Sequence, residues 1–192
     1  MNIPRDYRSI INLFRAKPEE IQKYFEHFPE LSTNFPWEVS LGYLFTRVEK
    51  AQIMTLYCGA VKLHRTNTEL TNKNIQSKHI KRKAFLKLFE NIFNKNINDS
   101  ILINLREAEK VRDNVLHGKD VSDAKMREAV VRIFKFAEEF NNFMSRVGGF
   151  KPFGNLRGYK GRTKLLEKST TRLVLKGLEL THESKKSNPA SN

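Results

Sequence analysis

Three long stretches of the chain repeat apolar residues at helical spacing. Residues 37 to 65 carry Leu41, Phe45 and Val48, then Leu56, Ala60 and Leu63. Ile101, Leu105, Ala108 and Val115 mark a second stretch, which Gly118 stops, and Met126, Val130, Ile133, Ala137, Phe140 and Met144 mark a third over about residues 123 to 147. Apolar positions three and four apart form one face of a helix that meets a core. A shorter amphipathic helix is expected over about 75 to 93, with Phe85, Phe89, Ile92 and Phe93 on its buried face. Asp99 or Ser100, and Ser122 or Asp123, stand where N-caps belong, and Gly118 stands where a left-handed C-cap ends a helix. The stretch 66 to 74, TNTELTNKN, is rich in side chains that compete for backbone hydrogen bonds and reads as a connection.

The pattern predicts an all-α protein, an antiparallel bundle of four to five helices over residues 37 to 148. Residues 1 to 36 read as an N-terminal helical extension of short pieces. Pro18, Glu19 and Glu20 suit a helix first turn, and Phe28-Pro29 and Phe35-Pro36 break the chain. Residues 149 to 192 read as a basic C-terminal arm rich in glycine and aromatics. One short helix is expected within it, capped among Ser169, Thr170 and Thr171 and stopped by Gly177, and the last ten or so residues are expected to be disordered.

Charge changes this picture. The formal charge of +14 is concentrated, with zero net over residues 1 to 61, +7 over 62 to 95, −1 over 96 to 145 and +8 over 146 to 192. Localised positive charge on an otherwise balanced chain points to a polyanion, most often nucleic acid, or to a solvated basic face or disordered tail. Lys81, Arg82 and Lys83 crowd the first half of the helix expected over 75 to 93, where they track a phosphate backbone or form a solvent face. In the arm, Arg157, Lys160 and Arg162 alternate with Phe150, Phe153 and Tyr159. Such interleaving serves RNA, by stacking and neutralisation, or docks the aromatics on the bundle. Cys58 is the only cysteine, which excludes a disulfide framework and a thiolate metal site. The start MNIPRDYRS has no apolar run of secretory type, and no apolar run approaches a bilayer span, so a cytoplasmic protein with no membrane association is expected.

Chemistry concentrates in residues 107 to 119, EAEKVRDNVLHGK. Arg112 falls within the apolar stripe, and a guanidinium turned toward hydrocarbon requires an anionic partner. His117 lies on another face, near the helix end, below Arg106, Lys110 and Asp113. Asp113, His117, Asp120 and Asp123 are split between a helix and the turn beyond its glycine, which is poor metal geometry. His27, His64, His79 and His182 have no companions at ligand or triad spacing. Neither a metal nor a cofactor is expected.

The string VRDNVLHGK resembles the motif of the HEPN superfamily, an arginine, a polar residue and a histidine near a helix end; the layout of residues 38 to 147 is similar more loosely. The resemblance implies a HEPN-like bundle and a metal-independent endoribonuclease that leaves a 2′,3′-cyclic phosphate. It assigns Arg112 to the scissile phosphate and His117 to proton transfer, with Asp113 orienting the imidazole and Asn114 hydrogen-bonding the substrate. Arg106, Lys110 and Lys119 are the nearby candidates for RNA contact, and Glu49 is a candidate to face the motif helix. On an ideal helix, residues five apart diverge by roughly 140°. One copy therefore grips a phosphate poorly with both side chains, and a homodimer with a shared cleft is expected. The family also implies a toxin or phage-defence setting and an antitoxin partner of nucleotidyltransferase-like kind. The alternative is a non-catalytic HEPN module that binds RNA or nucleotide or mediates protein assembly.

Overall fold

The computed structural model of the protein describes residues 4–77, 80–154, 156 and 164–181. Among these it contains nine helices and no strand, so the protein is all-α. They are α1 (Tyr7–Arg15), α2 (Glu19–Tyr24), α3 (Phe28–Asn34), α4 (Trp37–His64), α5 (Thr68–Gln76), α6 (Arg82–Phe93), α7 (Asp99–Leu116), α8 (Asp123–Val147) and α9 (Lys168–Gly177). None is long and apolar enough to cross a membrane.

Local chemistry sets most of the boundaries. The Asp6 carboxylate accepts the Ser9 N–H at 2.8 Å and caps α1. Pro29 does not break the chain as expected; it sits in the first turn of α3, where its missing N–H costs nothing. Phe35, held extended before Pro36, ends that helix. Arg65, at φ 53°, lies directly beyond α4. Residues 66 to 74 are not a connection: Asn67 accepts the Leu70 N–H at 3.1 Å and starts α5. The helix expected over 75 to 93 is thus two helices, α5 ending at Gln76 and α6 beginning at Arg82. The N-cap of α7 is Asn98 rather than Asp99 or Ser100, and that of α9 is Glu167.

The chain forms two compact units, Met1–Thr55 with Asn96–Gly158 and Leu56–Lys95 with Tyr159–Asn192. This division differs from the boundaries at 36/37 and 148/149 that the sequence suggests. In the first unit the most extensive helix pairing is α7 on α8, which residues 117 to 122 join. The short N-terminal helices belong to the same core. Phe14 and Phe28 pack on Phe134 with ring centroids 5.1 and 4.9 Å apart, and all three side chains are buried. Phe150 and Phe153 dock inward too, which settles their part of the arm as packing. Asn141, itself buried, donates to the Phe153 carbonyl at 3.0 Å and accepts the Phe153 N–H at 2.8 Å. Both backbone groups of a buried residue are thereby satisfied by one side chain. Tyr159 lies outside the described residues.

The second unit gathers the end of α4 with α5, α6 and α9. Phe89 stacks on Phe93 at 4.5 Å, and Leu88, Ile92, Leu175 and Leu180 are buried. Gly59 lets this packing close: a Cβ there would lie 2.6 Å from the Ile92 Cγ2. Leu63, expected on the buried stripe of α4, is 46% exposed near the helix end. Between α5 and α9 the contact is polar, with the Asn67 N–H donating to the Thr171 hydroxyl at 2.9 Å and Lys168 pairing with Glu69 at 3.0 Å. Burial pushes the Cys58 thiol up to about 12, so this cysteine is an inert packing residue.

Candidate functional site

In α7 the residues Ile101, Leu102, Leu105 and Ala108 are buried, and Asn104 among them donates to Glu139 at 3.1 Å. Beyond Ala108 full burial stops. Val111 and Val115 are half-buried, and Leu116 is 73% exposed. The last two turns thus carry the motif at the surface of the first unit.

Arg112 retains a quarter of its side-chain exposure, and three groups account for its partial burial. Its guanidinium carbon lies 4.5 Å from the centroid of the Phe45 ring, whose face attracts a cation. Its Nε and Nη2 donate to Asp113 Oδ1 at 3.1 and 2.9 Å. Its Nη1 reaches Glu49 Oε1 at 3.5 Å, a looser contact. Phe45 and Glu49 lie one turn apart on α4, so a single helix supplies both the apolar platform and an acid. Glu49 is thus on the motif side, as the sequence suggested.

His117 is the C-cap of α7 and is exposed. The turn after it is a Schellman motif: the Lys119 N–H donates to the Asn114 carbonyl and the Gly118 N–H to the Val115 carbonyl, both at 3.0 Å. Gly118 takes φ +67°, the left-handed conformation that its position requires. Asn114 also accepts from Lys119 Nζ at 3.2 Å. The expected role of Asp113 in orienting the imidazole is not seen, because its carboxylate turns to Arg112. Its backbone carbonyl, rather, accepts the His117 N–H at 3.0 Å.

The other candidates divide. Arg106 pairs with Asp99 at 3.0 Å and Lys110 with Glu107 at 2.7 Å, all on α7. Lys81 and Lys83 are exposed and Arg82 half-buried at the start of α6, in the second unit. Arg157, Lys160 and Arg162 lie outside the described residues. No group of three or more His, Cys, Asp or Glu side chains is placed to hold a metal among the described residues.

One feature of the first unit has no counterpart in the sequence pattern. A cleft of about 830 Å3 is lined by Lys23, Tyr24, Arg47, Lys50, Met54 and Leu156, among others. Arg47 Nε and Nη2 donate to the Tyr24 carbonyl at 3.0 and 2.6 Å, while the Tyr24 hydroxyl donates to the Arg47 carbonyl at 2.9 Å. Burial pushes the Tyr24 phenol up to about 12, against the opposing pull of the Arg47 charge. These partners are 23 residues apart, so no local spacing signals them. No protein-family model, curated protein or solved structure matches the chain.

Proposed function

We propose that the protein is a metal-independent endoribonuclease of HEPN type, with its site composed from two copies of α7. The carrying observation is Arg112, a half-buried guanidinium on the Phe45 ring, one helical turn from the exposed helix end that presents His117. Asp113 and Glu49 occupy its donors in the resting protein. A scissile phosphodiester carries the same unit charge as one carboxylate but presents two free oxygens to the planar fork, where Asp113 presents one, and takes their place. In the reaction one imidazole takes the proton of the 2′-hydroxyl as its oxygen attacks phosphorus. The bond from phosphorus to the 5′-oxygen breaks, and an imidazolium protonates the leaving oxygen. The products are a 2′,3′-cyclic phosphate and a 5′-hydroxyl, and Arg112 stabilises the charge growing on the phosphoryl oxygens. Leu116, 73% exposed and one turn beyond Arg112, supports a second copy covering this surface.

The same geometry supports one rival. An arginine neutralised by two carboxylates also suits a non-catalytic HEPN module that binds RNA or nucleotide or mediates assembly. A toxin or phage-defence role, with a nucleotidyltransferase-like antitoxin, follows from the family resemblance alone.

Incubation of the purified protein with RNA in EDTA separates the two readings. Cleavage in the wild type and a loss of at least about a hundredfold in His117→Ala is the expected result, since positioned proton transfer contributes about 10²–10⁴-fold. Equal cleavage by both proteins marks a contaminant, and binding without cleavage gives the rival. Light scattering is expected to show a dimer; a monomer that retains cleavage removes the composite site.

A further inference from the structure

We infer that the described part of the second unit, residues 56–77, 80–95 and 164–181, is a phosphate-backbone grip that holds nucleic acid independently of the motif, and that α9 is its principal cationic edge. The first observation is how charge divides between the two units. Among the described residues, 56–77 and 80–95 carry eight basic and two acidic side chains and 164–181 carry four and two, so this unit holds +8 and the unit with the motif +1. So large a net charge on a unit this small repels itself, and a bound polyanion relieves that repulsion.

The second observation is the face that α9 presents. Thr171, Leu175 and the adjoining Leu178 are buried, which fixes the orientation of the helix. Lys168, Arg172 and Lys176 follow one another at four-residue intervals along an exposed side, with Lys164 just before the helix. Residues four apart stack into a row, with successive charges about 6 Å apart along the axis from the 1.5 Å rise. That is close to the spacing of phosphates along one nucleic-acid strand. No acidic residue lies within α9; Glu167 stands at its N-cap, Glu69 pairs with Lys168, and Glu179 pairs with Lys87 on α6, so Arg172 and Lys176 are the cations of the row farthest from the acid at the helix start. The Asn91 side chain on α6 donates to the Leu178 carbonyl at 3.4 Å, so the basic start of α6 and the row on α9 belong to one packed body.

Nucleic acid fits this edge better than a lipid surface. Binding in the plane of a bilayer requires a broad apolar face beside the charges. The exposed large apolar residues of this unit, among those described, are Leu63 and Leu173. Contacts to phosphates rather than bases make the grip indifferent to sequence. This takes its partner class from the ribonuclease reading but requires no catalysis, so the two fail separately.

The test uses the full-length protein and a 2′-O-methyl RNA, which the motif cannot cleave, with binding read by fluorescence anisotropy between 50 and 200 mM salt. Wild type is expected to bind this RNA with an affinity that falls steeply as salt rises. The triple variant Lys164→Gln, Arg172→Gln, Lys176→Gln is expected to weaken binding at least about tenfold at low salt and to lower the slope of log K against log salt by about 2 to 3. All three side chains are exposed, so helix content by circular dichroism is expected to match wild type. The charge-retaining variant Lys164→Arg, Arg172→Lys, Lys176→Arg is expected to restore both affinity and slope. An unchanged slope in the glutamine variant overturns the proposal. So does a variant that loses binding to phosphatidylserine vesicles while keeping its affinity for RNA.

Discussion

Arg112→Lys is expected to lower RNA cleavage by about two to three orders of magnitude, the loss seen when one oriented donor to a developing oxyanion is removed. The substitution keeps the charge and removes the fork. In the resting protein the guanidinium lies over Phe45 and sends two N–H groups to one oxygen of Asp113. A planar group gripped in this way meets a phosphate in a fixed orientation. An ammonium on a flexible stem does not. Stability is expected to change little, since partly exposed ion pairs contribute about 0–1 kcal/mol and an exposed cation–π contact about as much. The measurement is single-turnover cleavage in EDTA alongside a denaturation curve. Full activity in Arg112→Lys removes bidentate phosphate binding from the mechanism. A collapse of stability instead assigns the arginine a structural role.

Phe153→Ala is expected to destabilise the first unit by about 3–5 kcal/mol, the usual cost of deleting a buried aromatic ring. Such a loss is a large share of the roughly 5–15 kcal/mol that holds a domain folded. Phe153 has no exposure, and its ring meets Phe25, Phe136 and Phe140 at 5.7, 5.9 and 6.3 Å between centroids. Asn141 holds its backbone on both sides, so the emptied space cannot close by a shift of the segment. A urea titration reads the effect. A change below about 1 kcal/mol, the value for a surface site, would place residues 150 to 154 outside the core.

The helices α4, α7 and α8 were legible because each is long and repeats its apolar residues at helical period. Gly118 was equally plain, since a glycine after such a run closes a helix. By contrast α5 was hidden. Its sequence is polar, and Asn67, which reads as a turn former, serves as a cap through the same hydrogen-bonding capacity. Phe28-Pro29 misled for a related reason, because proline starts a helix as readily as it stops one. The two-unit division was beyond reach, since it depends on which distant segments pack together. At the site, the sequence places Glu49 near the motif, whereas Phe45 reads as one more residue of the apolar stripe and supplies the ring beneath Arg112. The four-residue spacing of Asp113 and His117 suggests a carboxylate that orients the imidazole. The neighbouring guanidinium, always charged and one residue away, takes that carboxylate instead.

The backbone of Gly118 favours mirror-image chirality. At φ +67° an L-residue is strained by its own carbonyl, while a D-residue is at rest, and nothing lies within 4 Å of an added L-Cβ to contribute anything else. Chemical synthesis that installs D-alanine at 118 should therefore stiffen the unfolded chain without disturbing the turn, a gain of about 0.4–1 kcal/mol. The L-enantiomer should cost about 1–2 kcal/mol. The stereochemistry of a single methyl group thus reports whether the turn beside His117 holds its shape in solution.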